Sequence, residues 1–201
     1  PGDFIIDICS APGGKTTHLA QLMKNKGTII AMDINRNKLK TVENNSKRLG
    51  IDIIKTEQND GTKLNTKYIN RADKVLVDVP CSGLGVLRRK PDIKWQTFNR
   101  ERFAKLSKLQ GEILTISSNY VKNGGVLVYS TCSTENEENS EVVKKFLEKT
   151  PKYKLESLNT FVEKRKLNAN KSTEKEFIKI YPGISNSRLD GFFMARMIKR
   201  D

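Results

Sequence analysis

Metal-binding side chains are scarce in this sequence. Among 201 residues there are three cysteines and one histidine, namely Cys9, Cys81, Cys132 and His18. They form no Cys-x-x-Cys pair and no zinc-ligand spacing, so we predict a protein without a metal site. An odd number of cysteines is typical of reduced thiols in a cytosol-like compartment, which predicts a cytoplasmic location.

Long apolar runs and an initiator methionine are also missing. No apolar run approaches the roughly 20 residues that cross a bilayer, so we expect no membrane partner. The chain begins at Pro1, and from this start we expect a fragment of a longer protein, which leaves organellar import open. A length of 201 residues suits one domain over residues 1–201, and we expect a monomer.

Acidic residues are too few to balance the basic ones. There are 37 lysines and arginines against 23 aspartates and glutamates, a formal net charge of +14. This excess predicts a nucleic-acid partner, because a positive surface potential attracts phosphates. A lysine-rich, solubilising surface would have the same composition, and charge alone does not separate RNA from DNA.

Strand-like and helix-like segments alternate along the chain, which is typical of an α/β domain with a mainly parallel sheet. The predicted strands are residues 3–9, 28–34, 51–58, 72–80 and 124–132, with three further candidates at 153–158, 176–182 and 190–199. The predicted helices are residues 17–25, 36–50, 98–121 (one helix, or two with a break near Gly111) and 135–150. The charged stretch 163–175 is predicted to be a surface excursion.

The loop after the first strand, CSAPGGKTT, lacks two common nucleotide-binding patterns. A P-loop needs glycine where Cys9 stands, and the G-x-G-x-x-G fingerprint is absent. Gly13 and Gly14 still allow the backbone to approach a ligand closely, while Lys15 and the following helix N-terminus favour a negative group. S-adenosylmethionine, which carries a carboxylate and a ribose diol, fits these features.

Two aspartates follow the next two strands. Asp33 in AMDIN stands about 20 residues after the glycines, where a carboxylate commonly binds a ribose diol. Asp60 in NDG follows the third strand and is a candidate acceptor for an adenine amino group. Either aspartate alone is best explained as a turn or helix cap, but together they favour an adenosine-type site.

Cys81 and Cys132 follow the fourth and fifth predicted strands, each among small residues. Such strands are neighbours in the usual doubly wound order, so we expect both thiols to face one cleft. The small neighbours, which leave space for a ligand, are Pro80, Ser82, Gly83, Thr131 and Ser133. Cys9, inside an apolar strand, is more simply explained as core packing.

Thiols and a methyl donor together suggest methylation of a pyrimidine at C5. That carbon is not nucleophilic until a thiolate adds to C6 and breaks the ring conjugation. One cysteine would attack, and the other would act as a base or assist release. Asp78, close to Cys81 in the sequence, is placed to assist at the N3 edge of the base.

Five segments resemble, in this order, the motifs of the Fmu/Sun-type RNA cytosine-5 methyltransferases: DICSAPGGKT, AMDI, NDG, DVPCSG and YSTCS. Two more resemble the bacterial branch that modifies small-subunit ribosomal RNA: GVLRRKPDIKW and DGFFMARMIK. The resemblance covers nearly the whole chain. It implies an α/β, Rossmann-like class I S-adenosylmethionine-dependent methyltransferase fold, with helices on both faces of a seven-stranded, mainly parallel sheet whose last strand is antiparallel.

The same resemblance implies roles for the residues. It makes Cys132 the nucleophile and Cys81 the thiol that helps to discharge the adduct, with Asp78 between cofactor and base and Lys15 near the base or Asp78. The residues it assigns to the cofactor are Cys9, Ser10, Ala11, Pro12, Gly13, Gly14, Lys15, Asp33 (on the ribose), Asp60 (near the adenine) and Asp78.

RNA contacts are less clearly predicted. Family members usually carry N-terminal RNA-binding domains, and we expect none of these within residues 1–201. Arg88, Arg89 and Lys90, near Trp95, are candidates to bind phosphates and stack a base. The alternative is a solvated charge run and a tryptophan packed under a loop.

Three other functions stay open on the sequence. The first is a catalytically silent RNA-binding or ribosome-assembly protein, and the second is methylation of a tRNA cytosine. The third is DNA methylation, in which the Pro-Cys cysteine, here Cys81, would be the nucleophile.

Overall fold

The structure is a computed structural model that describes residues 1–158, 176–183 and 189–201. The charged stretch 163–175 lies outside the described residues. The chain divides into two compact units. The first unit contains Pro1–Asp78, Glu112–Leu127 and Lys199–Asp201, and the second contains Val79–Gly111 and Val128–Ile198.

Eight strands in the described part of the chain form one mixed sheet in the order β3-β2-β1-β4-β5-β8-β6, with β7 paired to β8. The strands are β1 (Phe4–Ile8), β2 (Thr28–Asp33), β3 (Ile54–Gln58), β4 (Ala72–Asp78), β5 (Val121–Thr131), β6 (Tyr153–Leu155), β7 (Ile178–Ile180) and β8 (Phe192–Lys199). The helices are α1 (Gly14–Leu22), α2 (Arg36–Arg48), α3 (Arg100–Ser118) and α4 (Ser140–Lys149).

The first unit is built around β1. This strand pairs in parallel with β2 and β4, and β2 pairs in parallel with β3. Ile5, Ile6 and Ile8 are all buried although their side chains alternate between faces, as expected for a parallel strand covered on both sides. Parallel strands end at the same edge of a sheet, so the loops after β1, β2 and β3 gather with the end of β4 at one edge of this unit.

Helix α2 covers part of this sheet. It begins at Asn35, whose side chain accepts hydrogen bonds from the backbone N–H groups of Asn37 and Lys38, an N-cap that satisfies two donors of the first turn. Leu39 and Val42 of the helix pack with Ala31 of β2 in a buried cluster. The helix therefore fixes the residues at the end of β2.

Helix α3 runs through Gly111 without interruption, so the predicted alternative of a break there is wrong. A glycine inside a helix costs only about 1 kcal/mol relative to alanine. The apolar positions on both sides of Gly111 continue one helical period, and this shared face outweighs the cost.

The second unit has an aromatic core. Tyr129 of β5 contacts Phe193 of β8 with ring centroids 6.2 Å apart, and Phe177 contacts Phe193 at 5.3 Å. Strand β7 pairs with β8 in antiparallel register, Ile178 opposite Met194. The sheet thus has one strand more than the seven expected, because the short β7 adds to β8.

Several predicted boundaries differ from the structure. Strand β5 begins at Val121, before the predicted glycine entry at residue 124. Residues 136–138 form a separate 3₁₀ turn before α4 begins at Ser140, whereas one helix was predicted over 135–150. Among the described residues, no helix is both long and apolar enough to span a membrane.

Candidate active site

The loop between β1 and α1 turns sharply in the first unit. Cys9 has a φ of 59° and Gly13 a φ of 100°, and the Gly13 N–H donates to the Ser10 carbonyl at 2.8 Å. A Cβ added at Gly13 would lie 3.2 Å from Val42 of α2. Glycine is therefore required there both by the left-handed backbone and by the close approach of α2.

Asp33, at the end of β2, contacts this loop. Its Oδ2 accepts a hydrogen bond from the Ala11 N–H at 3.3 Å, and its Oδ1 accepts one from the Asn35 N–H at 2.9 Å. The structure thus brings together the loop and the first of the two predicted aspartates, although Asp33 also stabilises the turn into α2.

Asp60, after β3, makes the contacts of a turn-capping carboxylate. Its Oδ1 accepts hydrogen bonds from the backbone N–H and the hydroxyl of Thr62 at 3.0 and 2.7 Å, and Lys63 lies 3.9 Å from Oδ2. The two Thr62 hydrogen bonds hold the pKa of Asp60 below its usual value. These contacts match the alternative explanation of a single aspartate, a carboxylate that caps a turn.

Lys15 and Asp78 form an ion pair in the first unit. Lys15 Nζ donates to Asp78 Oδ2 at 2.6 Å. Both side chains are partly exposed, so the pair adds only about 0–1 kcal/mol to stability. The ion pair orients the two side chains toward each other. Of the two contacts expected for Lys15, with the base or with Asp78, the structure shows the contact with Asp78.

Asp7 of β1 is a buried acid that the sequence analysis passed over. Its Oδ2 accepts a hydrogen bond from the Thr16 hydroxyl at 2.6 Å. Among the described residues, neither Asp7 Oδ1 nor the buried Ser10 Oγ has a hydrogen-bond partner. Burial raises the pKa of Asp7 to about 7, and the Asp78 charge adds to the effect. A single acid inside the apolar run FIIDI was the signal that could have found it.

The two predicted cleft thiols meet in the second unit. Cys81 Sγ and Cys132 Sγ lie 3.1 Å apart, although 51 positions separate them in the sequence. The hydrogen bond with Cys132, followed by burial, raises the pKa of Cys81. Two thiolates at this distance would repel each other, so the pair tends to keep one proton.

Cys9 has a different environment. Burial raises the pKa of Cys9 to about 12, and the nearby Asp33 and Asp7 carboxylates add to the effect. A thiol that keeps its proton is a weak nucleophile. This agrees with the expectation that Cys9 serves packing or the wall of a ligand site.

A glycine contact fixes the loop after Cys81. The Gly85 N–H donates to the Cys132 carbonyl at 2.9 Å, and the Gly191 N–H donates to the Gly85 carbonyl at 2.7 Å. A Cβ at Gly85 would lie 2.7 Å from the Cys132 carbonyl oxygen and 2.5 Å from that of Gly191. Only glycine allows these three segments to approach so closely.

Glu138, which the sequence analysis did not single out, lies beneath this pair of loops. It is fully buried. Its Oε1 accepts hydrogen bonds from the Ser82 N–H and Gln110 Nε2, and its Oε2 accepts them from the Ser82 and Ser133 hydroxyls. The serine that follows each thiol is therefore bound to one carboxylate.

The candidate RNA contacts divide into two groups. Arg88 and Arg89 both pair with Asp190, at 3.2 and 2.5 Å, so part of their charge is balanced within the protein. Trp95 is 89% exposed, and the alternative of a tryptophan packed under a loop is wrong. Lys90 is also exposed.

The described residues contain no group of three or more His, Cys, Asp or Glu side chains that could hold a metal ion.

Comparison with known proteins identifies the family. The family model described as "16S rRNA methyltransferase RsmB/F" matches residues 1–198. The chain is 38% identical over 209 residues to "Probable ribosomal RNA small subunit methyltransferase B" of Bacillus subtilis (strain 168), covering 98% of this chain and 43% of that protein. It is 40% identical over 200 residues to "Ribosomal RNA small subunit methyltransferase B" of Klebsiella pneumoniae subsp. pneumoniae, covering 99% of this chain and 42% of that protein.

A solved structure supports the same relationship. The crystal structure described as NSun6 from Pyrococcus horikoshii with SFG matches with a TM-score of 0.81 and 36% identity, covering 99% of this chain and 48% of that one. The chain thus spans less than half the length of each of these relatives. The predicted methyltransferase fold class and the resemblance to the Fmu/Sun family are confirmed, and the chain belongs to the RsmB/F methyltransferase family.

Proposed function

We propose that this chain is the catalytic part of an S-adenosylmethionine-dependent RNA methyltransferase that modifies C5 of a cytosine, in small-subunit ribosomal RNA, through a covalent adduct with Cys132. The single observation that carries the proposal is the 3.1 Å separation of the Cys81 and Cys132 sulfurs. Methylation at a ring carbon needs both a nucleophile and a group that handles protons, and two adjacent thiols supply both.

The proposed reaction begins with the Cys132 thiolate. Addition of its sulfur to C6 removes the aromaticity of the ring and makes C5 an enamine-type nucleophile. After C5 is alkylated, its proton must leave so that the C6–S bond can break and the ring double bond can form again. Cys132 then departs as a thiolate.

Cys81 is the proposed partner in this elimination. Because the hydrogen bond with Cys132 and burial raise the pKa of Cys81, Cys81 favours the thiol form in the unreacted pair. Once Cys132 is bonded to C6, Cys81 would pass its own proton to solvent and, as a thiolate, take the proton that leaves C5.

The loop of the first unit fits S-adenosylmethionine. The turn at Gly13 exposes backbone N–H groups at the start of α1, where a carboxylate is favoured, and Ser10 Oγ is a buried polar atom without a partner among the described residues. We infer that this loop, Cys9 to Lys15, would hold the amino-acid end, with Asp33 on the ribose and Asp60 near the adenine. When bound, the cofactor supplies a methyl group activated on a sulfonium. The related Pyrococcus structure contains SFG, an analogue of S-adenosylmethionine.

Asp78 is the proposed contact to the N3 edge of the cytosine. Negative charge develops on the ring as the thiolate adds, and protonation or hydrogen bonding at N3 stabilises it. Lys15, at 2.6 Å from the Asp78 carboxylate, would orient that carboxylate and balance its negative charge.

RNA is the proposed substrate for two reasons. The chain has a formal net charge of +14, which favours a polyanion, and its relatives are named as small-subunit ribosomal RNA methyltransferases. Exposed Trp95 and Lys90 are the proposed stacking and phosphate contacts.

A transfer assay tests this proposal. The full-length protein is incubated with labelled S-adenosylmethionine and, separately, with unmodified 16S rRNA, unmodified tRNA and cytosine-containing DNA, and digested products are analysed for 5-methylcytosine. We expect label in 16S rRNA and none after Cys132→Ala. Transfer only to tRNA or only to DNA would contradict the ribosomal assignment, and no transfer to any of the three would favour a silent RNA-binding protein.

A further inference from the structure

A buried carboxylate connects the two thiol loops of the second unit. Ser82 directly follows Cys81, Ser133 directly follows Cys132, and both hydroxyls donate to Glu138, at 2.5 and 2.6 Å. The two serine oxygens are themselves 3.1 Å apart, the same separation as the two sulfurs. The chain thus carries two matched Cys-Ser pairs that meet on one acid.

The carboxylate is satisfied by neutral donors. Besides the two hydroxyls, the Ser82 N–H donates at 2.8 Å and Gln110 Nε2 donates at 2.9 Å. Gln110 Nε2 also donates to the Pro80 carbonyl at 3.0 Å, which fixes the residue before Cys81. Burying an acid is costly unless its oxygens are bonded, so this arrangement persists only while the two loops stay together.

The main chain around Glu138 is held independently. The Tyr129 hydroxyl donates to the Glu138 carbonyl oxygen at 2.5 Å, and the Thr131 hydroxyl donates to Asn139 Oδ1 at 2.5 Å. Asn139 Nδ2 in turn donates to the Ser133 carbonyl at 3.0 Å. These hydrogen bonds hold the backbone of Glu138 in place, so its carboxylate oxygens have a fixed position relative to the two serines.

We propose that Glu138 is a positioning residue: by binding Ser82 and Ser133 it sets the distance and angle between the Cys81 and Cys132 sulfurs. The inference rests on the proposed function for its catalytic meaning, because those sulfurs are the proposed reacting groups. Glu138 acts through hydrogen-bond geometry and not through its negative charge.

Two substitutions separate geometry from charge. In Glu138→Gln the amide oxygen can accept from the Ser82 N–H and from Gln110, and the amide nitrogen can donate to the two hydroxyls, which accept as readily as they donate. In Glu138→Ala all four bonds are lost. With RNA containing 5-fluorocytosine, which traps the adduct because the fluorine on C5 cannot leave as a cation where hydrogen leaves as a proton, we expect Glu138→Ala to slow adduct formation by about 100-fold. Glu138→Gln should stay within about tenfold of the unchanged protein.

A second readout does not need RNA or methyl transfer. Diamide takes two hydrogens from neighbouring thiols and leaves a disulfide, so its rate of linking Cys81 to Cys132, measured by peptide mass spectrometry, reports the geometry of the sulfurs. Glu138→Ala should slow this linkage by about tenfold or more, and Glu138→Gln should restore it. If the unchanged protein forms the disulfide but methylates no RNA, the proposed function fails while the positioning role stands.

Controls distinguish positioning from general loss of stability. Ser46→Ala removes a buried hydrogen bond to the Ile51 carbonyl in the first unit but keeps the carboxylate and both serines, so it should lower Tm without slowing the linkage. If Glu138→Ala does not fold, the double variant Ser82→Ala, Ser133→Ala replaces it, with the same slow linkage expected. Wild-type linkage and adduct rates in a folded Glu138→Ala or double-serine protein would overturn the proposal, as would equal losses in Glu138→Ala and Glu138→Gln.

Discussion

The proposed cofactor loop of the first unit and the thiol pair of the second differ in how they are built. The loop is a continuous stretch, Cys9 to Lys15, shaped by its own glycines and joined by one nearby acid, Asp33. The thiol pair consists of two short segments that are far apart in the sequence and joined by Glu138. A site made from one segment depends on local backbone conformation, whereas a site made from two depends on what holds them together.

The sharpest way to break this comparison is to remove the thiols one at a time. Cys132→Ala should abolish the RNA adduct and reduce methyl transfer by more than about a thousandfold, because the nucleophile is lost. Cys81→Ala should allow attack but stall release, leaving protein covalently attached to RNA on a denaturing gel. Exchanged outcomes would reverse the two roles.

The next largest effect is expected from a substitution at Gly85, where the backbone of the Cys81 loop contacts the backbone of Cys132. Gly85→Ala places a methyl group against the Cys132 and Gly191 carbonyl oxygens, so we expect a loss of about 1–3 kcal/mol in the free energy of unfolding together with slower adduct formation.

Gly111→Ala is the matched control for that change. A Cβ at Gly111 would meet no atom within 4 Å in the described structure, and alanine suits the interior of α3 better. Here we expect a gain of about 1 kcal/mol and unchanged adduct formation. Denaturant unfolding of both variants checks the difference, and equal behaviour would show that Gly85 is not a close-packing position.

A smaller effect sharpens the description of the first unit. Burial raises the pKa of Asp7 to about 7, above the value near 4 of an aspartate in an unfolded chain. Between these values the folded protein binds more protons than the unfolded chain, so this residue lowers stability as pH rises from about 4 to 7, by at most about 1.4 kcal/mol per pH unit. Above about pH 7 the contribution is constant.

Asp7→Asn tests that contribution. The amide keeps an acceptor for Thr16 but cannot ionise, so the variant should gain stability relative to the unchanged protein as pH rises from 5 to 7. Urea unfolding at both values measures the difference. A constant difference across this range would mean that Asp7 does not titrate there.

The smallest effects concern RNA. Trp95→Ala should weaken RNA binding by about 1–3 kcal/mol if a base stacks on the indole, with little change in the salt dependence. Lys90→Ala should instead reduce the slope of binding against salt by about one charge. Fluorescence binding titrations at several salt concentrations distinguish the two, and no change in either variant would remove this surface from the RNA interface.

Local patterns predicted most of the secondary structure. The first five predicted strands, from residues 3–9 to residues 124–132, are present within a few residues of their predicted ends. The errors arose where tertiary contacts override the pattern. Residues 136–138 form a separate 3₁₀ turn because the Glu138 side chain binds the loops that carry the thiols. Helix α3 continues through Gly111 because the apolar positions on both sides of Gly111 share one face.

The candidate site was predicted only in part, again because some of its contacts depend on tertiary structure. Strand ends indicated the two cysteines, whose sulfurs the structure brings together, and separately Asp33 and Asp78, whose roles stay predictions. Asp7 was missed, although a single acid inside the apolar run FIIDI was a signal in the sequence that this acid is buried. Glu138 was missed too, because it lies in a run of acids, ENEEN, where the sequence offers no way to tell the buried one from the exposed ones.

By itself the sequence determined the alternation of strands and helices, the glycine turn and the placement of acids and thiols at strand ends, because each depends on residues only a few positions apart. Tertiary structure alone decided that two sulfurs separated by 51 positions lie 3.1 Å apart, and that one glutamate among several is buried against the serines that follow them. Such distances follow from the packing of distant segments, whose energy is shared among many contacts and is written in no single stretch of the chain.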